Sequence, residues 1–288
     1  MKETIYFILS MIIFGAVGVF AKYIDLSASV IALFMSLIGS MFLFIICMST
    51  KHKISRQIIR RNVVPLFIAS LALCGNWIFL FQSYKETTIA NAAISYYFVP
   101  VLVIVMSPVV LKEKLSLKKA ICVVIALIGL VLIVQSNKTA TAEHNLLGII
   151  YGLIAAGFYA VLTLVNKFIR NMNGLENTFI QIVLSSVILL PYVFITEGFP
   201  IFRISGSSII LLLLLGIFHA GIGFYLFFTG MSGLKAQSVA VLSYIDPLTS
   251  LFISVLVIGE KMTLLQLAGA ALLLGSTLLS ETSRGKKT

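Results

Sequence analysis

The sequence predicts an all-α integral membrane protein: ten transmembrane helices formed by two inverted five-helix repeats. Three observations carry that prediction. Of 288 residues, 60% are hydrophobic and only 11% charged, with a mean hydropathy of +1.10, whereas a soluble domain needs roughly 25% charge to face water. The apolar residues fall into ten spans, each about long enough to cross ~30 Å of hydrocarbon at ~1.5 Å per residue. Finally, the stretch from Ser95 to Lys114 recurs from Tyr244 to Lys261. Tyr97, Pro100, Glu113 and Lys114 are matched by Tyr244, Pro247, Glu260 and Lys261, always 147 positions apart, which marks a duplication.

In chain order the spans are 4–21, 28–49, 63–84, 88–111, 118–136, 145–166, 177–196, 207–230, 236–258 and 262–280. Lys2 ahead of the first apolar run resembles a signal peptide. However, Phe14-Gly15 before Lys22 has its counterpart in Tyr159-Ala160 before Lys167, so the first span is expected to remain as a working helix. Pro100 and Pro247 fall inside the fourth and ninth spans, where a missing N–H frees a carbonyl in the preceding turn and predicts a kink. The uncharged run from Ile204 to Leu234 is read as one helix with a polar lead-in at Ser205-Gly206-Ser207-Ser208. Five spans per half is an odd number, so the second half must enter the membrane from the opposite side. The repeats are expected at 5–135 and 147–280.

The formal charge of +11 would point to nucleic acid in a soluble protein, but here the basic residues are distributed by side. Lys2, Lys51, Lys53, Arg56, Arg60, Arg61, Lys112, Lys114, Lys118, Lys119, Lys167, Arg170, Lys235, Arg284, Lys286 and Lys287 fall on one face. Lys22, Lys85, Lys138, Arg203 and Lys261 fall on the other, a division of 16 to 5. Positive charge gathers in the cytoplasm, so both termini are expected there, in a bacterial inner (plasma) membrane. The clusters then set topology, with lipid and not nucleic acid as the partner. Cys47, Cys74 and Cys122 lie within apolar spans, where thiols pack as small residues. Asn137-Lys138-Thr139 matches a glycosylation acceptor. Neither HExxH, a P-loop, GxSxG nor a Cys/His metal spacing is present, so neither an enzyme nor a cofactor is expected.

The aromatic-Gly or aromatic-Ala opening followed by Lys, at Phe14 to Lys22 and Tyr159 to Lys167, together with the paired Pro-to-Glu-Lys blocks, resembles the EamA domain of the drug/metabolite transporter superfamily. The family motif usually opens on Trp, where Phe14 and Tyr159 stand here. The resemblance implies ten helices, a central cavity lined mainly by the first, third, fourth, sixth, eighth and ninth, and movement of small organic solutes.

Asp246 is the sharpest local signal, because a charge near mid-membrane costs at least ~2.5 kcal/mol unless paired, hydrated or protonated. It reads either as a site for a proton or a substrate cation, or as a buried neutral acid bonded to a neighbouring helix. The matched position is Val99, so the site is asymmetric. Pro100 and Pro247 are candidate hinges. His219 has a ring suited to proton exchange and is a candidate partner for Asp246, with a satisfied interhelical hydrogen bond as the alternative. Gly216, Ala220, Gly221 and Gly223 keep its helix thin. Asn76, Trp77, Tyr97, Tyr225 and Tyr244 supply amides and aromatic faces at comparable depth, and such rings attract ammonium by ~0.5–2 kcal/mol. Lys22 and Lys167 read as interfacial anchors, and the Glu-Lys pairs as loop-end ion pairs or caps. Gly152, Ala156 and Ala160, and Ala271 with Gly275, favour close helix packing, within the chain or across a homodimer.

The leading expectation is a secondary active transporter exporting amino acids or related amines in exchange for protons by alternating access. Uptake of an amine or quaternary ammonium solute by the same groups is the alternative, with a channel or a non-transporting binding protein from a different class. The helix count makes a direct prediction. With a membrane-impermeant thiol reagent, Ser55→Cys and Thr141→Cys label from opposite faces, and labelling from one face refutes ten spans.

Overall fold

The computed structural model describes residues 2–50, 55–87, 92, 95–114, 117–135, 145–198, 205–253 and 264–281, which contain helices and turns but no strand. Glu260, Lys261, Thr141 and the Asn137-Lys138-Thr139 acceptor lie outside the described residues. The first span is split at Ala16 into α1 (Lys2–Gly15) and α2 (Val17–Lys22). The second is α3 (Ala28–Ser49), opened by Ser27, whose Oγ accepts from the Val30 N–H at 3.4 Å and so satisfies one of the free donors at a helix start. A short basic helix, α4 (Arg56–Arg61), lies between the second and third expected spans and precedes α5 (Val63–Glu86).

After a turn at Tyr97–Phe98 comes α6 (Val99–Val110), then α7 (Leu117–Gln135) and α8 (Asn145–Val165). α9 (Gly174–Glu197) starts with a reciprocal capping box between Asn173 and Glu176. The eighth span is continuous: α10 (Gly206–Leu214) leads through a π-helical stretch at Leu215–Gly223 into α11 (Phe224–Ser232). Ser205, in the expected polar lead-in, is its N-cap, accepting from the Ser208 N–H. The ninth span consists of α12 (Ala236–Leu242) and α13 (Ile245–Ile253) either side of a turn at Ser243–Tyr244. The chain closes on α14 (Leu264–Glu281).

Among the described residues, five helices are long and apolar enough to cross a membrane: Ala28–Ser49, Val63–Glu86, Leu146–Phe168, Gly174–Glu197 and Gly206–Ser232. With the overall composition they make this an integral membrane protein. The expected kinks at Pro100 and Pro247 are instead helix starts. Each proline stands in the first turn of its segment, where its missing N–H has no intrahelical partner to lose.

Packing draws these elements around a common centre. α1 lies against α11 and α13, as α8 lies against α5 and α6; α3 lies against the π-helical stretch and α9, and α7 against α14. The thin eighth helix is used as its small residues predict. A Cβ at Gly221 would stand 2.6 Å from the Phe42 ring, and one at Gly39 would stand 2.7 Å from Ala220 Cβ. Gly152 lets Ser95 approach, and Ala156 and Ala160 are fully buried. In α14, Ala271 is exposed and Gly275 has no neighbour within 4 Å of a built Cβ among the described residues, so these two serve no close packing there.

The closest approach bearing on function is at Gly15, where an added Cβ would meet the Asp246 carbonyl oxygen at 2.6 Å and Thr249 Cβ at 2.7 Å. Backbone cannot yield as a side-chain tip can, so Gly15→Ala forces α1 and α13 apart. We expect it to destabilise the protein by about 1–3 kcal/mol, read as a lowered unfolding midpoint in detergent. Gly275→Ala does not lower that midpoint.

Candidate functional site

Asp246 stands in the first turn of α13, where the unpaired N–H groups and the helix dipole favour a carboxylate. Its backbone N–H donates to the Ser243 carbonyl across the turn at 3.2 Å. The matched turn ahead of α6 presents Tyr97, whose hydroxyl donates to Asp246 Oδ1 at 2.9 Å. The breaks in the fourth and ninth spans are therefore tied directly to one another. Asp246 is half-buried and opens on a cavity. The cavity is small, about 30 Å³ in volume.

The polar wall comes from three elements. Asn76 on α5 donates to the Tyr96 hydroxyl at 3.3 Å and to the Ala155 carbonyl at 3.0 Å, which joins α5 to the fourth span and to α8. Trp77 follows it on α5, and His219 enters from the middle of the π-helical stretch. Such stretches replace the usual i→i−4 bond by i→i−5 and occur often at functional sites; here the Phe224 N–H reaches the His219 carbonyl.

The apolar wall is a set of rings in contact. Phe14 lies 4.6 Å from His219 and 4.9 Å from Phe224, centroid to centroid, and Trp77 meets Phe224 edge to face at 5.5 Å. Tyr96 meets Tyr97 at 5.7 Å and Tyr159 at 5.9 Å, both edge to face. Among the described residues no group of three or more His, Cys, Asp or Glu side chains is placed to hold a metal.

Compared with known families, the chain matches the EamA-like transporter family over residues 1–135 and 146–282. The chain belongs to that family. Among EamA relatives, "Uncharacterized transporter YxxF" of Bacillus subtilis is 28% identical over 97% of this chain and 89% of its own. An "Uncharacterized transporter" of Archaeoglobus fulgidus is 29% identical over 95% and 94%. The "Uncharacterized inner membrane transporter YicL" of Salmonella typhimurium is 23% identical over 96% and 94%. One crystal structure superposes with a TM-score of 0.80 over 96% of this chain and 97% of that one, at 18% identity, which shows a shared fold. This EamA protein is accordingly a membrane transporter.

Of the residues singled out from the sequence, Asp246, Asn76, Trp77, Tyr97 and His219 line one cavity. Tyr225 does not: it adjoins Phe224, whose ring faces inward, and one residue along a helix turns ~100° away, leaving Tyr225 exposed. Tyr244 is fully buried at the turn but is not part of the lining. His219 is not bonded to Asp246; the Tyr97 hydroxyl takes that carboxylate, and His219 packs between Phe14 and Phe224. Pro100 and Pro247 flank the site without lining it.

Nor is Lys167 an interfacial anchor. Its Nζ donates to the Met231 and Leu234 carbonyls at the end of α11. Glu113 is a cap, as one reading had it, accepting from the Ala236 N–H at 3.2 Å at the start of α12. Sequence reasoning missed Phe14 and Tyr159 as lining residues, although both had already stood out as the matched aromatics of the repeat. Tyr84 and Phe81, also in the lining, carried no signal beyond position on α5.

Tyr97→Phe keeps the ring and removes the hydroxyl that donates to Asp246 Oδ1. Leaving that oxygen unpartnered is expected to destabilise the protein by about 1–3 kcal/mol, measured by thermal unfolding in detergent. Tyr225→Phe, outside the cavity, changes the same midpoint by less than about 0.5 kcal/mol.

Proposed function

We propose that this transporter is a secondary active exporter of amino acids or related amines, driven by proton exchange at Asp246. The observation that carries the reading is a single carboxylate, held by one tyrosine hydroxyl inside an aromatic-walled cavity where two broken helices meet. An ionised Asp246 binds the ammonium group of the solute, and the surrounding rings add their attraction for a cation. Protonation of the carboxylate removes its charge and releases the ammonium. One oxygen pair thus serves two cations in turn, and antiport follows from their competition.

Alternating access needs two bundles that rock against each other, and the duplicated sequence supplies them as two inverted five-helix repeats of about 5–135 and 147–280. The contacts support this. The α1–α13 and α1–α11 pairs correspond to the α8–α6 and α8–α5 pairs when the halves are exchanged. The 16 to 5 division of basic residues supports cytoplasmic termini, and the printed name of the Salmonella relative supports an inner-membrane location.

Purified protein in liposomes, given labelled amino acids and amines under an imposed pH gradient, is expected to accumulate solute against its gradient. Asp246→Asn abolishes the response to the pH gradient. Flux whose pH dependence survives that change rules out the shared charge site.

A further inference from the structure

We propose that Arg61 and Arg170 form a site for the phosphate of an anionic phospholipid, at the seam between the two matched segments of the chain. Both line one open groove of about 430 Å³, within the ~300–1,000 Å³ usual for small-molecule sites. Arg61 belongs to the first EamA segment and Arg170 to the second. The groove is braced by Asn62, which is buried. Its Nδ2 donates to the Ile58 and Arg170 carbonyls, both at 2.9 Å, and its Oδ1 accepts from the Arg170 N–H at 3.0 Å. One side chain thus fixes the Arg170 backbone beside Arg61.

Charge and depth together select the occupant. Among the described residues no acid lines the groove, and neither guanidinium has a hydrogen-bond or ion-pair partner. Both arginines are exposed, and their planar forks of donors match the oxygens of a phosphate. The groove also lies at one boundary of the membrane, because the Val63–Glu86 span begins there and the Leu146–Phe168 span ends there. Its remaining wall is apolar, with Pro65 and Phe168. Beside Pro65 starts an exposed row along α5, formed by Val64, Phe67, Ile68 and Leu71, whose i, i+3, i+4, i+7 spacing keeps them on one helix face. A free phosphate leaves that row unused, whereas a phospholipid sets its phosphate between the arginines and its acyl chains along the row. Basic pockets between spanning helices take anionic headgroups in this way. A headgroup so held bridges the two segments on this face.

The test is native mass spectrometry of the purified full chain in a non-ionic detergent, titrated with dioleoyl phosphatidylglycerol or with dioleoyl phosphatidylcholine, whose choline cancels the phosphate charge. The unaltered chain is expected to retain one phosphatidylglycerol about tenfold more tightly than phosphatidylcholine. Arg61→Gln combined with Arg170→Gln removes that preference. Arg56→Gln combined with Arg60→Gln takes the same charge from α4 outside the groove and keeps it. Glycerophosphoglycerol, the same headgroup without acyl chains, does not displace the lipid at equal concentration. Equal retention of both lipids by the unaltered chain overturns the site, as does a preference that survives the groove substitutions or falls equally with the control pair. Displacement by glycerophosphoglycerol identifies a soluble phosphate ester as the occupant and overturns the lipid assignment. The comparison of the two lipids needs no variant, so it decides the matter even where a substitution prevents insertion.

Discussion

Hydrocarbon offers no hydrogen bonds, so every polar group that this chain carries to mid-membrane must find its partner inside the protein. That constraint weighs most on the turns at Tyr97–Phe98 and Ser243–Tyr244, where regular helix bonding stops. Non-helical backbone at that depth is tolerated only where it is covered by protein or borders a cavity. The first turn borders the space that Asp246 faces through Tyr97, and the second is covered by protein, with Ser243 and Tyr244 both buried. The Tyr97–Asp246 hydrogen bond links the two irregularities, so the geometry of one broken helix is set by the other.

The surrounding architecture holds those turns in place. Gly15 allows α1 to press on the Asp246 backbone, and Gly223 leaves room for the Phe14 ring at the cavity wall. At one end, Glu113 caps α12 while Gln237 Nε2 donates to the Lys114 carbonyl, so the first half grips the start of the helix that leads to the turn at Ser243–Tyr244. Lys167 holds the preceding connection through the Met231 and Leu234 carbonyls. At the other end, Ser27 and Ser29 donate to Glu197, and Lys85 donates to the Leu26 carbonyl. These clamps sit at helix ends, where carbonyls and N–H groups lack intrahelical partners.

Much of this was legible in the sequence because membrane helices announce themselves by composition. α3 coincides with its expected span, and α8, α9 and the α10-to-α11 helix match theirs to within three residues at either end. Asp246 stood out because a lone acid in an apolar run has few explanations. The missing detail has a common cause. A window of apolar residues looks the same whether its helix is continuous, split at Ala16 or opened into a π-helical stretch, since those choices follow from packing against other helices. Rotation about the helix axis is equally hidden in a chain that is apolar all round. The sequence singles out Tyr225 and not Phe224, yet Tyr225 is exposed and Phe224 lines the cavity. Gly275 likewise carries a small-residue pattern that no neighbour among the described residues uses.

The duplication also accounts for an otherwise odd group. Exchanging the halves carries Tyr97 onto Tyr244, and Asp246 onto position 99, which is a valine and is buried. The hydrogen bond from Tyr97 to Asp246 therefore has no counterpart at the matched pair, because a valine cannot accept. Among the described residues the buried Tyr244 hydroxyl has no hydrogen-bond partner. Two acids so placed would bring like charges together in a low-dielectric site, where each makes ionisation of the other harder. With Val99 in place of the second acid, Asp246 is the one carboxylate among the described residues lining the cavity. The unpartnered Tyr244 hydroxyl is what the broken symmetry leaves behind.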